Sequence, residues 1–197
     1  HEADPFLEPE RVTLAQAFDQ FAGIDLLASV SADGSTDREG LAAAAKRARV
    51  RVSDDDNWAD IYSKVLVERI EPKLGMGRPT ILYEYPISEA ALARPTVADP
   101  RVAERFELYA CGVELANAFG ELTDPVEQRR RFEAEMDEKA RVYGERYPID
   151  EDFLAALPYM PHACGSALGF DRLVMLATGA ERIEQVLWTP LAPTPGL

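Results

Sequence analysis

The stretch Glu107-Leu-Tyr-Ala-Cys-Gly-Val-Glu114-Leu-Ala-Asn117-Ala-Phe-Gly-Glu121 places three carboxylates and one amide within 15 residues. It reads as two adjacent strands turned around Cys111-Gly112. Acids on an inward strand face are costly unless a cation partners them. Two of the three carboxylates suit Mg²⁺, which takes one or two protein carboxylates together with phosphate oxygens and water. The third suits a ligand ammonium. The alternative is a solvated sheet face whose acids meet only water. Strict strand alternation puts Glu114 on the face opposite Asn117, Phe119 and Glu121. A site shared by Glu114 and Glu121 therefore requires a bulge between them.

Gly165-Ser-Ala-Leu-Gly169-Phe-Asp-Arg172-Leu carries the second signal. Phe170, Leu173, Val174 and Ala177 recur at helical spacing, so Arg172 falls in a first helical turn. A cation there opposes the helix dipole, unless a bound anion accepts from the free N–H groups and pairs with the guanidinium. Gly169 would let a ligand approach the backbone. Read alone, the same residues also describe an exposed arginine beside a glycine turn.

These side chains need elements to position them. Residues 1–10, with Pro5 and Pro9, read as an irregular lead-in, and Thr13 caps a helix to about Ala22 with Leu14, Ala17, Phe18 and Phe21 on one face. Asp37 caps a second helix to about Arg49. The run Asp54–Asn57 caps a third, whose Trp58, Ile61, Tyr62, Val65 and Ile70 form an apolar stripe. Thr80–Tyr85 reads as a strand stopped by Pro86. Asp124-Pro125 opens a long charged helix to about Tyr143, on which Arg129-Arg-Arg131 reads as a solvated face. Pro148–Pro161 is helix plus loop, 165–179 is strand, tight turn and helix, and a Pro-rich tail follows. Few strands, hairpins and separate helices predict an α+β fold, an antiparallel sheet flanked by helices.

Composition narrows the function classes. The chain has 197 residues, 47% hydrophobic and 28% charged, which describes a globule with a core. Lys plus Arg number 21 against 35 Asp plus Glu, a formal charge of −14. Such a surface repels phosphate backbones on average, so only a local basic pocket holds a polyanion. Two cysteines, Cys111 and Cys164, offer neither a metal-ligand spacing nor a disulfide framework and read as small packed side chains. Two histidines make a zinc site improbable, and His162 reads as a loop residue. No apolar run approaches the roughly 18 residues of a membrane helix. The start His1-Glu-Ala-Asp-Pro-Phe has no signal-peptide pattern, which predicts a cytoplasmic location, and its lack of Met predicts a piece of a longer chain. No Ser/His/Asp set, P-loop or dinucleotide-binding glycine pattern occurs.

In this order and separation the two constellations resemble the second half of a class IIb aminoacyl-tRNA synthetase catalytic domain, of the lysyl branch. Arg105-Phe-Glu107 … Glu114-Leu-Ala-Asn117-Ala-Phe-Gly-Glu121-Leu-Thr-Asp124 looks like the family's strand pair, and Gly165–Leu173 like its motif 3. Gln128-Arg-Arg-Arg-Phe132 matches the helix between them, and Thr80–Pro86 with Ser88 and Leu92 the preceding strand. The likeness runs from about residue 78 to 188. Ala167, within Ala-Leu-Gly-Phe-Asp-Arg, stands where lysyl-tRNA synthetases usually carry glycine, and so looks more like the stand-alone ligases that attach β-lysine to elongation factor P.

The resemblance implies a class II synthetase-like catalytic core and ligation by way of an aminoacyl-adenylate. By that resemblance Glu107 and Glu114 hold Mg²⁺ at the ATP phosphates, Leu115 contacts the nucleotide, Gly169 borders the adenosine, and Arg172 clamps the γ-phosphate. Asn117, Glu121 and Ala167 form the amino-acid pocket, for lysine or β-lysine. The acceptor is a lysine of elongation factor P; tRNA, and a non-catalytic binding subunit, are the alternatives. No membrane partner is implied, and a homodimer is expected of the full-length protein. The family's motifs 1 and 2 have no counterpart here, so residues 1–197 read as one partial domain, with motif 3 at 165–179, that does not form adenylate unaided.

Overall fold

The computed structural model describes residues 3–189, and the Pro-rich tail lies largely outside them. Five strands form one sheet in the order β1-β2-β3-β4-β5: β1 Glu10–Thr13, β2 Thr80–Pro86, β3 Val102–Ala110, β4 Val113–Gly120 and β5 Cys164–Leu168. The pairs β2–β3, β3–β4 and β4–β5 are antiparallel, as expected. However, β1 runs parallel to β2, with Val12 opposite Leu82, so the sheet is mixed. The lead-in reading is corrected accordingly: Glu10 already belongs to a strand. Four residues with one buried side chain, Val12, are too short a pattern to announce a strand, and its pairing with residues 70 positions away creates it.

Helix α1, Leu14–Ala22, begins where Thr13 and Gln16 exchange side-chain-to-backbone hydrogen bonds of 2.9 and 3.1 Å, and stops at Gly23 in the left-handed region. Helix α2 is Arg38–Arg47, and α3 is Trp58–Val65, prolonged by a π-turn through Ile70. The stripe predicted on α3 is buried throughout, and its Tyr62 ring stacks on Phe18 and Trp58 at 5.5 and 5.4 Å. This helical layer covers one part of the sheet, where Leu82, Tyr85 and Tyr109 join the same core.

The β3–β4 hairpin turns at Cys111 (φ 55°) and Gly112 (φ 73°), the two consecutive positive φ values that a tight hairpin with right-handed twist requires. Helix α4, Pro125–Tyr143, is capped by Asp124, whose Oδ1 accepts from Val126 N at 2.9 Å. Its arginines do not all face water. Arg131 is nearly buried, giving Nη1 to the carbonyls of Ala91 and Ala93 at 2.9 and 2.8 Å and Nε to Glu127 at 2.8 Å. Hydrogen bonds from Arg130 and Arg131 push the Glu127 carboxyl down to about 2. The cysteine reading is also corrected: Cys164 is exposed and Cys111 partly so, both on backbone that the hairpin and the β5 edge place at the surface. Helices α5, Glu151–Ala156, and α6, Phe170–Thr178, complete the order.

Candidate functional site

The register of β3 and β4 decides whether the acids meet. Arg105↔Phe119, Phe106↔Ala118, Glu107↔Asn117 and Leu108↔Ala116 are in step, but the next pair is Tyr109↔Glu114. Leu115 is the extra residue, so the required bulge is present. It turns Glu114 onto the face of Asn117 and Phe119, the face that also carries Arg105, Glu107 and Tyr109. On β5, Ala167 lies opposite Asn117 and Gly165 opposite Phe119, which places both on that face. A Cβ on Gly165 would stand 2.5 Å from Glu121 Oε1, so the Glu121 carboxylate occupies the space a side chain there would fill. The sheet thus gathers Glu107, Glu114, Asn117, Ala167 and Glu121 on one side.

Arg172 joins them from α6. Its Nη1 donates to the Glu114 backbone oxygen and to Glu114 Oε2, both at 2.9 Å. Gly169 N donates to the Leu115 carbonyl at 2.8 Å, so the bulge residue receives the turn that starts α6. A Cβ at Gly169 would sit 3.3 Å from Arg172 Cδ and 3.5 Å from Leu115 O, close enough to crowd the arginine stem. The Arg172 side chain is 45% exposed, and its guanidinium keeps further N–H donors beyond its contacts with Glu114.

Glu107 is buried, 6% exposed, and each of its oxygens accepts from protein donors. Arg105 Nη2 reaches Oε1 at 2.7 Å, Asn117 Nδ2 the same oxygen at 3.4 Å, and the Tyr109 hydroxyl donates to Oε2 at 2.7 Å. This turns the Asn117 amide so that its buried Oδ1 has no donor. An orphaned acceptor opposite Ala167 fits a ligand N–H. Among the described residues no three His, Cys, Asp or Glu side chains form a metal cage. Two carboxylates with spare lone pairs, beside a guanidinium, instead fit a cation that arrives with phosphate oxygens. A cleft of about 750 Å³ lies elsewhere, lined by Asn57, Asp60, Glu135, Glu138 and Tyr147. Concavity alone therefore does not find this site, which lies open on a sheet face.

Sequence reasoning missed the supports of Glu107. Arg105, Glu107 and Tyr109 alternate, which was the available signal. Glu89, on the turn after β2, gives its carbonyl to Arg105 Nη1 at 2.6 Å. Burial pushes its carboxyl up to about 7, Glu135 and Asp60 adding to the shift and the Arg105 charge opposing it. A carboxyl raised from 4.5 is disfavoured as the anion, so the stability it contributes is full below pH 4.5 and lost as pH rises through about 7. Glu89→Gln is expected to stabilise the chain by about 1–3 kcal/mol at pH 8, the gain shrinking by pH 5.5. Urea denaturation at the two pH values checks this.

Comparison with known proteins shows the family. The family described as tRNA synthetases class II (D, K and N) matches residues 6–192. The chain is 45% identical over 184 residues to the elongation factor P--(R)-beta-lysine ligase of Proteus mirabilis, covering 92% of this chain and 55% of that protein. It is 44% identical over 180 residues to the ligase of the same name in Edwardsiella ictaluri, covering 90% and 54%. Against a lysine--tRNA ligase of Dehalococcoides mccartyi the figures are 40% over 182 residues, 91% and 35%. The chain therefore spans about half the length of the first of these relatives. A sheet face of paired acids closed by a helix-start arginine, in a chain matched along nearly its whole length, belongs to the class II tRNA synthetase family of the D, K and N type.

Proposed function

We propose that this chain supplies the nucleotide- and lysine-binding face of a ligase that activates lysine or β-lysine with ATP. The bulge at Leu115 carries the reading, because it brings Glu114 and Arg172 to the side of Glu107, Asn117 and Glu121. In the reaction a lysine carboxylate oxygen attacks the α-phosphorus of ATP, the bond to the β-phosphate oxygen breaks, and pyrophosphate leaves the aminoacyl-adenylate. The acceptor amine then attacks the adenylate carbonyl and AMP departs. The nucleophile comes with the substrate, so the protein supplies position and charge rather than a base.

In this reading Arg172 takes γ-phosphate charge, while Leu115 and Gly169 border the nucleotide. Glu121 pairs with the side-chain ammonium, and Asn117 offers its orphaned Oδ1 to the substrate beside Ala167. Glu107 and Glu114 would hold Mg²⁺, which when bound neutralises phosphate charge. Elongation factor P is the acceptor that the relatives at 45% and 44% identity support, and Ala167 supports it too. The relative at 40% identity supports tRNA as the second reading. The domain assignment is part of the proposal: residues 1–197 act as one partial catalytic domain, which is expected to show no ATP–pyrophosphate exchange on its own.

Isothermal titration tests the reading. ATP is expected to release heat only with Mg²⁺ present, and (R)-β-lysine to bind at least about tenfold more tightly than lysine, about 1.4 kcal/mol. Preference for lysine would favour the tRNA reading. No heat from ATP under any condition would favour a non-catalytic binding subunit.

A further inference from the structure

We infer that Arg105 and Tyr109 are positioning residues that give the two oxygens of Glu107 different tasks, one held by the protein and one kept for a cation. The inference rests on the nucleotide-site reading above and deepens it. Each carboxylate oxygen offers about two acceptor positions. Oε1 receives Arg105 Nη2 at 2.7 Å and Asn117 Nδ2 at 3.4 Å, which occupy it. Oε2 receives only the Tyr109 hydroxyl, at 2.7 Å, and keeps one position open. An unsupported carboxylate rotates and presents either oxygen. Here a different donor grips each, so exchanging them breaks a charge-assisted hydrogen bond.

The grips are themselves held. The Arg105 guanidinium lies over the Tyr85 ring at 4.4 Å and near the Phe119 ring at 5.7 Å, with Nη1 anchored on the Glu89 carbonyl. Tyr109 is 1% exposed, its ring part of the core. Glu71 Oε1 lies 3.3 Å from its hydroxyl, which has a single proton, and the shorter contact commits that proton to Glu107. An acid that merely faces water needs no fixed orientation. This one is buried and oriented by two residues that occupy the same strand face, Tyr109 also lying opposite Glu114.

Tyr109→Phe removes one hydroxyl and keeps the ring, and Arg105→Lys keeps the charge but loses the planar fork and its stacking. ATP binding to the chain is titrated at a series of Mg²⁺ concentrations, alongside thermal melting. In Tyr109→Phe the Mg²⁺ concentration at half-maximal ATP binding is expected to rise roughly tenfold, as loss of an outer-shell partner does at metal sites. ATP affinity at saturating Mg²⁺ should stay within about twofold, because mass action restores the cation. Arg105→Lys is expected to shift the Mg²⁺ requirement in the same direction. A purely structural role would lower melting and weaken ATP binding equally at every Mg²⁺ concentration. An unchanged Mg²⁺ requirement in Tyr109→Phe overturns this inference and leaves the nucleotide site standing. A wild-type chain that binds no ATP with Mg²⁺ overturns both.

Discussion

Gly75→Ala is expected to cost about 4 kcal/mol of folding stability or more, enough to unfold much of a marginally stable chain. Gly75 sits at φ 70°, where a side chain alone costs roughly 1–2 kcal/mol. The larger part is steric. A Cβ there would lie 2.5 Å from Ala110 Cα and 2.7 Å from both Ala110 N and Tyr109 C, all backbone atoms of β3. Neither side can yield. Cys111 N donates to Gly75 O and Gly112 N to Leu74 O, each at 2.8 Å, and Gly75 N donates to Thr80 Oγ1 at 2.9 Å. Gly77 supplies the control: it has φ 78° but nothing within 4 Å of an added Cβ, so Gly77→Ala should lose only about 1 kcal/mol. Urea denaturation of both variants separates the terms, and equal losses would refute the clash. Because the strained atoms include the Tyr109 carbonyl carbon, a surviving Gly75→Ala chain should also need more Mg²⁺ to bind ATP.

How far this arrangement was legible from the residues depended on whether the information was local. The caps at Thr13, Asn57 and Asp124, the stripe on α3 and the hairpin at Cys111-Gly112 all follow from neighbours a few positions apart, and all appear where expected. The need for a bulge between Glu114 and Glu121 was also readable, as a parity argument, although its position at Leu115 was not. What escaped depended on distant partners. β1 exists because Glu10–Thr13 pairs with Thr80–Tyr83. Arg131 leaves the solvent because the carbonyls of Ala91 and Ala93 stand within its reach. The supports of Glu107 were hidden differently: Arg105 and Tyr109 share its strand face, but alternation reports a face and not a hydrogen bond. Of the site, the residue types and their order were readable, whereas the assignment of each carboxylate oxygen needed coordinates.

Arg172→Ala is expected to weaken ATP–Mg²⁺ binding roughly a hundredfold, about 3 kcal/mol, the scale of one charge-assisted contact to phosphate plus the disorder of its neighbour. Two losses combine. The guanidinium donors that Glu114 does not use disappear from the phosphate position, and Glu114 Oε2 loses the 2.9 Å partner that orients it. Arg172→Lys separates them. A single ammonium keeps the charge but does not reproduce the contact with both Glu114 oxygens while also reaching an anion, so it should recover only part of the affinity, leaving a deficit of about tenfold. The opposing view is that Arg172 simply pins α6 to β4 through the Glu114 backbone oxygen. That role predicts a lower melting temperature in Arg172→Ala with unchanged ATP affinity in the remaining folded fraction. The nucleotide role predicts the reverse, since the side chain is nearly half exposed and its surface ion pair with Glu114 stabilises the fold by about 1 kcal/mol at most. Measuring melting and ATP titration on the same preparations decides between them, because the two roles move different readouts.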